Sequence, residues 1–254
     1  LIDGSPFWLL IFSLSGLGLI AGSFLGLVSV RLPAGQDFVA GRSRCGSCSR
    51  TLAPRDLVPL LSYALAKGRC RLCGARISLR YPAMELGCAA LAAWAAILQP
   101  TPLAAILTAL LGWQLLLIAV VDAEHFWLPD ALTLPLLASG LAASALLDAP
   151  GLADSLIGAI IGFASLWSLA WAYRRLRGRD GLGGGDPWLF AAIGAWTGWI
   201  GLPSVLLWAA AAGLSVVLAT QLGRRKLTAS SRLPFGVFLA IGGWFTWNYG
   251  PLGF

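Results

Sequence analysis

Residues 102–122 read PLAAILTALLGWQLLLIAVVD, with no charged side chain until Asp122 closes the run. About 20 apolar residues in a helix, each advancing ~1.5 Å, cover the ~30 Å of hydrocarbon in a bilayer. The pattern recurs: apolar stretches run 7–30, 83–99, 102–122, 127–147, 152–173, 187–200, 202–221 and 234–249. The expected fold is therefore an all-α polytopic membrane protein with about eight transmembrane helices. Composition agrees, since only 11% of the 254 residues are charged and mean hydropathy is +0.79, whereas soluble domains carry about 25% charged residues. The first apolar run has no basic flank before it and no small-residue cleavage pattern after it. It reads as a retained span, not a signal peptide.

The net charge of +7 would suit a nucleic-acid partner, but its placement excludes that reading. The 18 Lys and Arg fall into three blocks, Arg31–Arg80, Arg174–Arg179 and Arg224–Arg232. Spans drawn between the blocks put all three on one side, which the positive-inside rule makes cytoplasmic. The basic balance thus records topology, with some attraction to anionic lipid headgroups. Eight spans place Asp3 and Phe254 on the far face. The outer connections are brief: Gln99-Pro100-Thr101-Pro102, Asp148-Ala149-Pro150-Gly151 and Gly201-Leu202-Pro203. Only residues 31–82 form a large connection. The expected organisation is a first transmembrane helix over 1–30, a small cytoplasmic domain over 31–82 and a transmembrane domain over 83–254.

Glycines recur at four-residue spacing, as Gly18, Gly22 and Gly26, as Gly158 and Gly162, and as Gly194 and Gly198. Small residues so spaced let helix backbones approach where lipid supplies no hydrophobic drive, and packing within the bundle is their expected role. Tryptophans near span ends, Trp8, Trp127, Trp188 and Trp247, fit an interfacial aromatic belt.

Within 31–82, Cys45-Gly46-Ser47-Cys48 and Cys70-Arg71-Leu72-Cys73 make a C-x2-C…C-x2-C pattern. Two such pairs in a segment this small point to tetrahedral zinc held by Cys45, Cys48, Cys70 and Cys73. Gly46 and Gly74 suit the tight turns required. A reducing cytoplasm disfavours the alternative of two disulfides. Four thiolates leave no open coordination position, so the zinc is expected to be structural. So small a domain has little core of its own and depends on such a staple. The fifth cysteine, Cys88, lies in an apolar span, where packing is its expected role.

Asp122 ends one span, and Asp186 opens another after Gly183-Gly184-Gly185. The topology puts both carboxylates at one depth on the cytoplasmic side. Carboxylates at a membrane boundary are costly and mark function. Two sharing a site retain one proton between them, so one can act as base on a water while the other polarises a carbonyl. Capping and helix-dipole stabilisation at Asp186, or an ion-coupled transport pathway, are the other readings of these residues. Asp130 and Asp154, near the starts of their spans, read as caps or interfacial charges. Glu124 and His125 read as solvated loop residues.

Seven segments then occur in register. Gly22-Ser23-Phe24-Leu25 with Arg31-Leu32-Pro33 comes first, and Asp56-Leu57-Val58-Pro59 lies between the cysteine pairs. Gly74 leads to Ile77-Ser78-Leu79-Arg80-Tyr81-Pro82 and Glu85. Asp122 with Leu128-Pro129-Asp130, Gly183-Gly184-Gly185-Asp186 and Pro234-Phe235-Gly236 complete the set. In these the chain resembles the type IV prepilin peptidases, the GxGD aspartic peptidases of pilus and type II secretion systems. The resemblance implies removal of a short basic leader from prepilins and pseudopilins at the cytoplasmic face of the bacterial inner membrane, after a Gly. It places the catalytic pair on Asp122 and Asp186. It also implies N-methylation of the new terminus with S-adenosylmethionine in many members, against which stands the alternative of a peptidase without methyltransferase activity. No glycine-rich nucleotide motif after a strand marks a methyl-donor site; Glu85 is a candidate for that function or for substrate positioning, a helix-start charge being the plainer reading. Two positions depart from the family pattern: Gly26 where Asn is common, and Trp188 where Lys is common.

Overall fold

A computed structural model describes residues 4–38, 42–222 and 233–253. The expected block Arg224–Arg232 falls outside these residues, as do Asp3 and Phe254. The elements are α1 (Gly4–Arg31), α2 (Leu61–Leu65), α3 (Arg80–Leu98), α4 (Pro102–His125), α5 (Asp130–Leu147), α6 (Leu152–Arg177), α7 (Asp186–Leu222) and α8 (Phe235–Tyr249). Among the described residues there is no β-strand, only the isolated bridges Arg44 to Thr51 and Arg69 to Arg76. Among the described residues six helices are long and apolar enough to cross a membrane: α1, α3, α4, α5, α6 and α7. The fold is all-α and polytopic.

The eight expected segments are all helical, but one expected connection is misplaced. The sixth and seventh segments run together as α7, which breaks at Gly198 (φ 69°, ψ 173°), not at Gly201-Leu202-Pro203. A positive φ there is open to glycine without steric cost. A Cβ at Gly198 would also press on Pro150 Cγ at 3.1 Å. Pro203 lies inside the second leg of α7. The eighth segment is the 15-residue α8.

The chain forms two compact units, Leu1–Leu117 and Ile118–Phe254. In the first, α1 lies on α3 through its glycines. A Cβ at Gly18 would meet the Cys88 carbonyl oxygen at 2.7 Å, and one at Gly22 would meet the Glu85 Cα at 2.5 Å. Cys88 is wholly buried, as a packing residue should be. In the second unit, α7 is central and packs on α5, α6 and α8. Gly158 of α6 and Gly194 of α7 face each other's carbonyl oxygens, and Gly162 faces that of Phe190. Backbone contact this close gives two lipid-embedded helices the dispersion that holds them.

Buried indoles tie the bundle further. Trp196 of α7, 1% exposed, donates Nε1–H to the Leu136 carbonyl of α5 at 3.0 Å. Its ring meets Trp247 of α8 edge-on at 5.1 Å. Trp8 and Trp127 are exposed near helix ends, as an interfacial belt requires. Large apolar side chains such as Phe12 and Ile160 are also exposed, and a bilayer is the solvent that accepts them.

Candidate active site and metal centre

The cysteine module is two copies of one turn. In the first, the Cys45 amide donates to the Arg50 carbonyl and the Ser49 amide to the Cys45 carbonyl, both at 2.9 Å. In the second, the Cys70 amide donates to Ala75 at 2.8 Å and the Gly74 amide to Cys70 at 2.9 Å. Each turn needs a residue with positive φ just after its second cysteine, and these are Ser49 (φ 56°) and Gly74 (φ 72°). Gly74 therefore serves as expected. Gly46 does not, and Ser49 takes the left-handed position in the first turn.

The turns bring four sulfurs together, all ligand atoms lying within 4.8 Å of one another. Cys45 Sγ and Cys73 Sγ are 3.8 Å apart. Four ligands at the usual Zn–S length of ~2.3 Å put tetrahedral edges at roughly 3.8 Å. The turn amides also prepare the sulfurs. The Cys48 and Ser47 amides lower the Cys45 thiol from its ordinary value. The Cys73 and Leu72 amides bring Cys70 down to about 6. Cys73 receives the Ala75 amide, which lowers it, but desolvation and the neighbouring thiols outweigh that and raise it to about 11. Crowded thiols that cannot all ionise together are what a cation of high charge would relieve.

The same unit holds a cavity of about 290 Å³. One end is at Cys45 and Cys70, and the other is lined by Ser23 and Leu27 of α1 and by Tyr81 and Glu85 of α3.

Asp122 and Asp186 lie together in the second unit. Asp122 stands one turn before the end of α4, and Asp186 is the first residue of α7. Each is 5% exposed. The charge of Asp122 acts on Asp186, so the two carboxylates lie near one another. Their supports differ. Asp186 Oδ2 accepts the Gly183 amide at 2.9 Å, while its own amide donates to the Gly183 carbonyl at 3.2 Å. The glycine run thus closes a turn around the carboxylate. Asp122 Oδ2 accepts the Val237 amide at 3.1 Å, from the first turn of α8. Pro234 ends the preceding chain and leaves the first amides of that helix without intrahelical partners. Asp122 supplies one.

Leu128 lies between the two supports. A Cβ at Gly185 would meet Leu128 Cβ at 2.5 Å, and one at Gly236 would meet Leu128 Cδ1 at 2.9 Å and Asp122 Oδ2 at 2.8 Å. Reading the residues had not given Val237 or Leu128 these roles. The signal available was the pair of glycines, each beside a segment that carries an aspartate or faces one. Asp130 opens α5, as expected of a first-turn charge. Asp154 accepts Trp199 Nε1–H at 3.0 Å. Glu124 and His125 are exposed at the end of α4. Trp188 is half-exposed and packs on Phe163, ring centres 4.7 Å apart.

Comparison with known proteins finds two family profiles along the chain. The profile of the Bacterial Peptidase A24 N-terminal domain matches residues 17–99, and that of the Type IV leader peptidase family matches residues 109–218. The prepilin leader peptidase/N-methyltransferase of Burkholderia pseudomallei (strain 1026b) is 40% identical over 92% of this chain and 84% of its own. The chain belongs to the type IV leader peptidase family. Proteins of the same name from Aeromonas hydrophila and Pseudomonas aeruginosa are 37% identical over 98% of this chain and 94% of theirs, and 36% over 92% and 88%. No solved structure matches. The first family profile takes in the four cysteines and Glu85, and the second takes in both aspartates. The helix α8 that supports Asp122 follows the second.

Proposed function

We infer that this leader peptidase is a membrane aspartic endopeptidase that removes the basic leader of type IV prepilins and type II secretion pseudopilins. It then N-methylates the new amino terminus, working at the cytoplasmic face of the bacterial inner membrane. The observation that carries the peptidase reading is the meeting of Asp122 and Asp186, two buried carboxylates from different helices, each steadied by a backbone amide. Their relatives' name supports both activities.

The chemistry follows from two carboxyl groups holding one proton. The ionised group takes a proton from water as the water oxygen bonds to the scissile carbonyl carbon. The protonated group donates a hydrogen bond to the carbonyl oxygen. Collapse breaks the C–N bond, and the nitrogen leaves with a proton from the pair. Burial excludes bulk water and strengthens each of these interactions. S-adenosylmethionine, when bound, would supply an electrophilic methyl group to the newly freed amine.

Cys45, Cys48, Cys70 and Cys73 would hold structural zinc, which supplies the cross-link between the two turns. The domain reading follows: a first transmembrane helix over 1–30, a zinc module over 31–82 on the cytoplasmic side, and a transmembrane peptidase domain over 83–254.

The decisive experiment is incubation of purified protein, and of its Asp122→Asn and Asp186→Asn variants, with a prepilin in detergent. Each variant is expected to lose cleavage by about 1,000-fold or more, the scale seen when a group of a catalytic constellation is removed. Cleavage at the wild-type rate by either variant defeats the two-aspartate mechanism. Transfer of labelled methyl from S-adenosylmethionine to the cleaved product tests the second activity.

A further inference from the structure

We propose that Tyr173, in the last turns of α6, is a positioning residue for Asp186 that acts through the glycine-rich segment Gly178–Gly185. The proposal rests on the peptidase reading above. It adds a residue, outside the aspartates and their amide donors, on which the geometry of the pair depends.

Eight residues lead from the end of α6 to Asp186, and five of them are glycines: Gly178, Gly181, Gly183, Gly184 and Gly185. Glycine loses more conformational freedom on ordering than any other residue, so such a segment does not hold one shape by itself. Here it must hold one. The Gly183 amide donates to Asp186 Oδ2 at 2.9 Å, and the Gly183 carbonyl receives the Asp186 amide at 3.2 Å. Whatever places Gly183 therefore places the carboxylate.

The segment is pinned at both ends. Downstream, Gly185 lies against Leu128. Upstream, α6 closes at Gly178 (φ 66°), whose amide donates to the Arg174 carbonyl at 2.9 Å. The chain then folds back on the helix, and Gly181 lies on the ring of Tyr173. A Cβ at Gly181 would meet Tyr173 Cδ1 at 2.5 Å and Cε1 at 2.6 Å. Gly181 does not have positive φ, so the ring, and not the backbone conformation, leaves no room for a side chain there. Arg174 Nε and Asp180 Oδ1 add an ion pair at 2.6 Å. Both side chains are largely exposed, and an exposed pair contributes little. The ring contact is the stronger anchor. Asp122 is held separately, by the Val237 amide. Loss of the ring thus loosens one carboxylate of the pair and leaves the other in place.

The test uses the full-length protein in detergent with a prepilin. Misplacing a catalytic group by about 1 Å costs on the order of 100-fold, and Tyr173→Ala is expected to lower kcat by about tenfold or more. KM is expected to change little, the mark of an interaction used in the transition state. Tyr173→Phe keeps the ring and is expected to restore the wild-type rate. Gly181→Ala is expected to reproduce the loss by pushing the segment off the ring. Because the two residues touch, Gly181→Ala with Tyr173→Ala is expected to lose less than the two single losses combined. Hydrogen exchange gives a readout independent of turnover. Peptides spanning 178–187 are expected to exchange faster in Tyr173→Ala, with peptides from α8 unchanged. A wild-type kcat in Tyr173→Ala overturns the proposal, as does a loss that Tyr173→Phe fails to restore. Unchanged exchange over 178–187 overturns it too, and so does faster exchange throughout α7 and α8, which would mean general loosening of the bundle. Leader cleavage by the wild-type protein in the same preparation tests the peptidase reading, so the two can fail separately.

Discussion

Gly236 shows how little room the aspartate site leaves at the residue scale. A methyl group there would sit 2.8 Å from Asp122 Oδ2 and 2.9 Å from Leu128 Cδ1, and neither neighbour is the free end of an exposed chain. The carboxylate must then move off the Val237 amide. Misplacement of a catalytic group by about 1 Å costs on the order of 100-fold in rate. Gly236→Ala is expected to lower kcat by about that factor and to change KM little, as steady-state kinetics on a prepilin will show. A kcat within twofold of wild type would mean that Asp122 does not need this position. Cys70 offers a second prediction. Its thiol is brought to about 6 by the turn amides, below the ordinary 9.0. A depressed group contributes stability that is complete above the ordinary value and is lost as pH falls through about 6. Metal binding by thiolates has the same sign. Bound metal is expected to be lost as pH falls, followed with a colorimetric chelator, and full retention at pH 4 would refute this.

At the scale of elements, the α6–α7 crossing is set by glycine. Gly158 and Gly194 meet backbone to backbone, so a side chain at either forces the helices apart. Overpacking of this kind costs about 1–3 kcal/mol. Gly158→Leu is expected to lower the midpoint of thermal unfolding in detergent, whereas Gly184→Leu, where a Cβ meets nothing within 4 Å, is expected to lower it much less. Equal losses would remove the packing argument. The cysteine turns depend on each other in the same way. Cys45→Ser with Cys48→Ser removes two of four ligands, and the expected result is a metal content near zero together with proteolysis inside residues 42–79. These elements were largely readable beforehand. Apolar run length gave the helices, and C-x2-C gave the turns. The break in α7 was not readable, because Gly198, Gly201 and Pro203 all permit one and only packing against Pro150 and α6 selects the first.

At the scale of the whole molecule, charge decides orientation. By the positive-inside rule, the proposed topology puts the basic blocks at Arg31–Arg80 and Arg174–Arg179 on the cytoplasmic side. A membrane-impermeant maleimide is therefore expected to label the module's cysteines in inside-out vesicles after chelation, and not in intact cells stripped of their outer membrane. Labelling in the cells would reverse the topology. Hydropathy and cysteine spacing are properties of order along the chain, so the helices and the clustering of the four cysteines could be read without coordinates. Which groups hold the aspartates could not. Val237 reaches Asp122 across 115 positions, and Leu128 fills the gap beside Gly185 and Gly236 only because three helix ends converge there. Amide partners and close contacts of that kind carry no local pattern. They exist once the bundle has closed around them.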